Sequence, residues 1–151
     1  MPTITPFLWY DTQAEDAMNL YASIFTNSKV ISVNRARGRV MSVEFELEGQ
    51  RFTALNGGPL FKFNESTSFF VGCDTQAEVD GFWDKLIADG GEPSQCGWLK
   101  DKFGLSWQIV PKVLLTLLND KDAAKSTRVM NAMLEMRKLD IKGLQQAHDG
   151  D

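Results

Sequence analysis

One pentapeptide occurs twice in this chain. Asp11-Thr12-Gln13-Ala14-Glu15 and Asp74-Thr75-Gln76-Ala77-Glu78 are identical letter for letter. Each follows an apolar run of strand formers, Thr3–Tyr10 in one case and Ser66–Cys73 in the other. Each also opens a helical pattern, with an Asp-Thr N-cap signal and a Glu near the capping-box spacing. In the first half Ala14, Ala17, Met18, Tyr21, Ala22 and Phe25 recur at helical spacing. In the second, Ala77, Phe82, Trp83, Leu86 and Ile87 form the apolar side until Gly90-Gly91 ends the helix. An identity at the same strand-to-helix junction in both halves points to a duplicated β-α-β-β-β unit.

The remaining strands follow the same order. Lys29–Asn34 is a β-branched run, and Arg35-Ala36-Arg37-Gly38 is a basic turn. Between Met41 and Gln50, Val43, Phe45 and Leu47 alternate with Glu44, Glu46 and Glu48, as a strand with one wet face requires. Gly49 turns the chain, Phe52–Asn56 returns, and Gly57-Gly58-Pro59 breaks the structure ahead of a loop over Leu60–Glu65. In the second half the corresponding hairpin is Cys96–Pro111, with its turn over Asp101–Gly104. Its return strand puts Leu105, Trp107 and Ile109 on one face and Ser106, Gln108 and Val110 on the other, until Pro111 stops it. Beyond Pro111 the pattern is helical over Val113–Leu118, Asp122–Leu139 and Asp140–Ala147, with Asp120 and Asp140 as N-caps. Val129, Met130, Met133, Leu134 and Met136 give this tail a methionine-rich apolar side.

Length and charge limit the function classes. A chain of 151 residues can bury a core without staples. A net charge of −4 argues against a nucleic-acid partner, which needs a basic patch. No apolar run is long enough to span a bilayer, and Met1-Pro2-Thr3 lacks the basic start of a signal peptide. Cys73 and Cys96 are expected to be reduced, and the protein to be cytoplasmic.

Four residues are candidates for a ligand-binding wall: Asn56, Cys96, Trp98 and Gln108. Gln108 either orients a polar group of a ligand or is a buried amide satisfied by its neighbours. Trp98 either clamps an aromatic ligand or belongs to the core. Cys96 has no histidine to activate it, so lining a pocket suits it better than nucleophilic attack. Asn56, between a strand and Gly-Gly, is a turn former or a ligand contact. The one histidine, His148, lies in the terminal tail.

Thr5-Pro6-Phe7-Leu8-Trp9-Tyr10-Asp11, Glu44-Phe45-Glu46-Leu47-Glu48-Gly49-Gln50, Ala54-Leu55-Asn56-Gly57-Gly58-Pro59 and Gln95-Cys96-Gly97-Trp98-Leu99-Lys100-Asp101 together resemble one family. It is the PhnB-like branch of the vicinal oxygen chelate superfamily, often labelled demethylubiquinone methyltransferase-like. The resemblance runs over about residues 3–147. It implies an α+β fold of two β-α-β-β-β modules forming a curved mixed sheet around a cavity. The expected division is a domain over 1–112 (module one 1–64, module two 65–112) and a helical extension over 113–151.

The superfamily's metalloenzymes draw one metal ligand from each of four strands. Here those strands carry no His, Asp or Glu, and only Gln108 falls where the last ligand would sit. No divalent metal is therefore expected. Asn56-Gly57-Gly58-Pro59 follows a strand without leading into a helix, and Gly90-Gly91 ends one, so neither resembles an S-adenosylmethionine loop. The expected function is metal-free and cofactor-free binding of a small organic ligand by a homodimer. The alternative is a metal-independent enzyme, such as a methyltransferase-like transferase acting on a quinone or another aromatic small molecule.

Overall fold

A computed structural model describes residues 1–151 and divides into two compact units, Met1–Phe63 and Asn64–Asp151. The first unit is built from β1 (Phe7–Tyr10), α1 (Ala14–Ile24), β2 (Ser28–Ala36), β3 (Arg39–Leu47) and β4 (Gln50–Asn56). Its four strands lie in the order β1-β4-β3-β2, with β1 parallel to β4 and the other neighbours antiparallel. The alternation along β3 does what its sequence requires. Val43, Phe45 and Leu47 are buried with Ala17, Met18 and Tyr21 of α1, while the intervening glutamates stay partly solvated. Phe45 stacks on Phe52 of β4 at 5.4 Å between ring centres.

The second unit repeats the plan with β5 (Ser68–Cys73), α2 (Gln76–Ile87), β6 (Glu92–Pro93), β7 (Trp98–Lys100) and β8 (Ser106–Pro111). Strand order is β5-β8-β7-β6, again with only the first pair parallel. The two units thus share one topology, as the repeated pentapeptide predicts. Leu99, Trp107 and Ile109 are buried with Val79, Trp83 and Leu86 of α2. Each of these side chains contributes about 1.5–3 kcal/mol relative to exposure. The hairpin turn is fixed by Asp101, which is 2% exposed. Its Oδ1 accepts the N–H groups of Phe103 and Leu105, and its Oδ2 accepts the Trp107 indole N–H at 3.0 Å.

The tail, α3 (Lys112–Leu118), α4 (Ala123–Leu134) and α5 (Ile141–Asp149), belongs to the second unit. Leu114, Val129, Leu139 and Leu144 pack with Val110 of β8 in a core of their own. The middle helix stops at Leu134 instead of reaching Leu139. The carbonyls of Met136 and Arg137 accept the N–H groups of Cys96 and Gly97, so the backbone turns towards the hairpin. Gly97 is required there. Its φ is +86°, and a Cβ would lie 2.9 Å from both the Ile109 carbonyl oxygen and Leu139. The cap of α4 is Asp122 and not Asp120, whose side chain accepts the Asp122 N–H instead.

Candidate functional site

The pleat of the second sheet sorts its side chains. Leu99, Trp107 and Ile109 face α2, so Trp98 and Gln108 face the other way. The two are directly paired across β7 and β8, and Phe70 of β5 is the next partner in the row. This cross-strand row is open: Phe70 is 53% exposed, and Trp98 and Gln108 are half-buried. Gln108 Nε2 donates to Ser68 Oγ at 2.9 Å, which leaves its carbonyl oxygen to accept from outside. An aromatic ring, a fixed amide and a second ring therefore lie side by side. Chemically, the row can stack a flat apolar body and orient one polar substituent.

Neither of the other two candidates belongs to this cross-strand row. Asn56, in the first unit, engages both its amide oxygen and its amide nitrogen within the fold. Its Oδ1 accepts the Ala14 N–H at 2.8 Å and its Nδ2 donates to the Val40 carbonyl at 3.1 Å. It also edges a groove of about 590 Å³ lined by Asp11, Glu15, Arg35 and Arg39, in which Arg35 pairs with Glu15 at 2.9 Å. Cys96 sits in the turn before β7 at a φ of +59°, half-buried, with its N–H spent on the Met136 carbonyl. Both cysteines are free thiols. Burial, reinforced by Glu78 and Asp74, pushes the Cys73 thiol up to about 11, so it is not a nucleophile at neutral pH.

Next to the aromatic row is a second feature that the sequence reading passed over. Ser68, Ser106, Lys100 and Glu92 are paired in turn across β5, β8, β7 and β6. Lys100 Nζ binds Glu65 at 2.6 Å, and that bond holds the Glu65 carboxyl below its ordinary range. Glu65, Glu92, Trp98, Lys100 and Ser106 line a cavity of about 190 Å³. Ser106 shares its face with Gln108 and is a second donor-acceptor group there; the alternation of the return strand was the signal for it.

The donor set does not fit a divalent metal. On β1, β4, β5 and β8 the side chains offer amides, hydroxyls, one arginine and the buried Cys73 thiol, but no imidazole or carboxylate. Nowhere do three or more His, Cys, Asp or Glu side chains gather to hold an ion. The connections from β1 to α1 and from β5 to α2 contain no glycine, so neither forms a phosphate-cradling turn of the dinucleotide type. No helix is long and apolar enough to cross a membrane.

Comparison with known proteins agrees with this architecture. Residues 2–110 match the family model of 3-demethylubiquinone-9 3-methyltransferase, and the tail helices lie beyond the matched span. The PhnB protein of Bacillus cereus is 33% identical, with a TM-score of 0.68 over 73% of this chain and 99% of its own. A Pseudomonas aeruginosa protein, PA1353, matches at 16% identity and a TM-score of 0.59, over 71% of this chain and 95% of its own. A glyoxalase-related enzyme from Fulvimarina pelagi gives 12% identity and a TM-score of 0.52, over 76% and 91% of the two chains. At those two identities the likeness is one of fold. No curated protein matches. With most of its length inside the family model and a PhnB protein at one-third identity, this chain belongs to the 3-demethylubiquinone-9 3-methyltransferase-like (PhnB) family.

Proposed function

We propose that this protein binds a small organic molecule on the open face of its second sheet, without a divalent metal. The observation that carries the reading is the row Phe70–Gln108–Trp98, in which a tethered amide lies between two partly exposed rings. A structural amide needs no such flanking. A ligand with a flat body and one polar group does. The shortage of imidazole and carboxylate on the four relevant strands supports the metal-free part of the reading.

The working form is a cytoplasmic homodimer joined through the tail helices. Leu115 of α3 and Met130 and Leu134 of α4 support it, being 48%, 41% and 55% exposed. The description of the matched family offers a second reading, methyl transfer to an aromatic hydroxyl, in which the same row would hold the acceptor ring.

Titration with uncharged aromatic compounds, with and without a chelator, tests the proposal. Binding unaffected by the chelator is the expected result. Binding lost on chelation and restored by a divalent ion would overturn the metal-free reading. Stabilisation by S-adenosylmethionine would favour the transferase.

A further inference from the structure

We propose that the cavity beside Trp98 is a subsite for an uncharged hydrogen-bonding group, a carbonyl or carboxamide on a single aromatic ring, with Ser106 Oγ as its donor. This rests on the ligand-binding reading above and names the class of ligand. Ser106 is 1% exposed, and its Oγ has no hydrogen-bond partner. Native proteins leave few buried hydroxyls unpaired, because desolvation without a new bond is unfavourable. Ser106 faces the side of the sheet that carries Lys100 and Glu92, and it lines the cavity with them. Its neighbour in β5, Ser68, already receives the Gln108 amide. The orphan hydroxyl thus belongs to a residue that lines the cavity.

Size and charge narrow the occupant. A volume of about 190 Å³ lies below the range of about 300–1,000 Å³ for drug-sized sites, which limits the ligand to one ring. The charged groups around the cavity are Glu65, Glu92 and Lys100, and they sum to −1. The Lys100 ammonium is already engaged by Glu65 at 2.6 Å. An incoming carboxylate would meet net negative charge and no free cation. An ammonium group carries donors only, so it can meet the Glu92 carboxylate but cannot accept the Ser106 O–H. A neutral carbonyl accepts the Ser106 O–H and leaves its ring against the Trp98 indole.

Calorimetry on the full chain with benzamide, benzoate and benzylammonium tests this. Benzamide should bind wild type, and the two ions at least about tenfold more weakly. Ser106→Ala should keep or raise the melting temperature, since it removes an unpaired hydroxyl, and weaken benzamide by about tenfold. Trp98→Ala should weaken every aromatic probe. If Ser106→Ala leaves benzamide unchanged while Trp98→Ala abolishes it, the aromatic face stands and the subsite falls. Benzoate binding more tightly than benzamide would also overturn the subsite. If no aromatic probe binds wild type, both proposals fall.

Discussion

Asn56 Oδ1 accepts the backbone N–H of Ala14, the first residue of α1, at 2.8 Å across 42 positions of sequence. The identical pentapeptide in the second unit is capped locally instead. There Thr75 accepts the Glu78 N–H, and Glu78 Oε1 accepts the N–H groups of Asp74 and Thr75. The difference arises outside the repeat. Glu15 is drawn off by Arg35, and the partner of Tyr10 in β4 is an asparagine, whereas the partner of Cys73 in β8 is Pro111. Proline has no side chain to cap with.

Removing that cap should weaken the first unit alone. Asn56→Ala is expected to cost about 1–2 kcal/mol, the loss of a helix cap and of one further hydrogen bond. Asn56→Asp keeps the acceptor and should recover part of it. Hydrogen exchange should show faster opening of α1 with α2 unchanged. Equal acceleration in both helices would contradict the assignment.

The attachment of α5 should depend on pH. His148 Nδ1 lies 3.0 Å from Asp149 Oδ1, and its Nε2 lies 2.7 Å from Asp120 Oδ2. The bonds to Asp149 and then Asp120 raise the His148 pKa above its usual 6.5. The Asp120 pKa is lowered, first by the Asp122 backbone N–H and then by His148. A raised histidine pKa means that the imidazolium form stabilises the fold. That contribution is complete below about pH 6.5 and fades as pH rises through the higher folded value. The Asp120 contribution runs the other way and is lost as pH falls through its lowered folded value. Exchange of α5 amides should therefore quicken, beyond the intrinsic base catalysis, as pH rises from 6 to 9. His148→Gln should flatten this profile, and an unchanged profile in that variant would refute the linkage.

Self-association should involve the tail. Leu115→Lys with Leu134→Lys should convert a two-fold dimer into a monomer with little loss of stability, because both positions are about half exposed. Light scattering at micromolar concentration reads the mass directly. A wild-type monomer mass would contradict the dimer.

The repeat was enough to predict a duplicated β-α-β-β-β unit, and the alternation of β3 and β8 to predict which side chains share a face, because period-two burial leaves a strand one usable register. Loop-borne partnerships were not legible in the same way. Nothing local in Asn56-Gly57-Gly58 says that its amide reaches Ala14, and Asp101 looks like any turn aspartate until Trp107 folds over it. The two-residue strand β6 is too short to show a period, so the row from Ser68 to Glu92 stayed hidden. Helix α4 ends early because Met136 and Arg137 turn to Cys96 and Gly97, a long-range contact that overrides good local helix propensity.

Amide-detected NMR tests most directly whether ligand binds where Trp98 and Gln108 pair. The chain has four tryptophans, 9, 83, 98 and 107, which give four indole N–H signals. On titration with benzamide, the Trp98 indole and the Gln108 side-chain amide should shift together, while Trp83 and Trp107, buried in the second unit, hold still. Gln108→Leu should weaken binding by about 1–3 kcal/mol, with the Trp98 indole shift saturating at correspondingly higher benzamide. Shifts confined to the backbone of Asp11, Arg35 and Asn56, with Trp98 unmoved, would place the ligand in the first unit's groove and contradict the account.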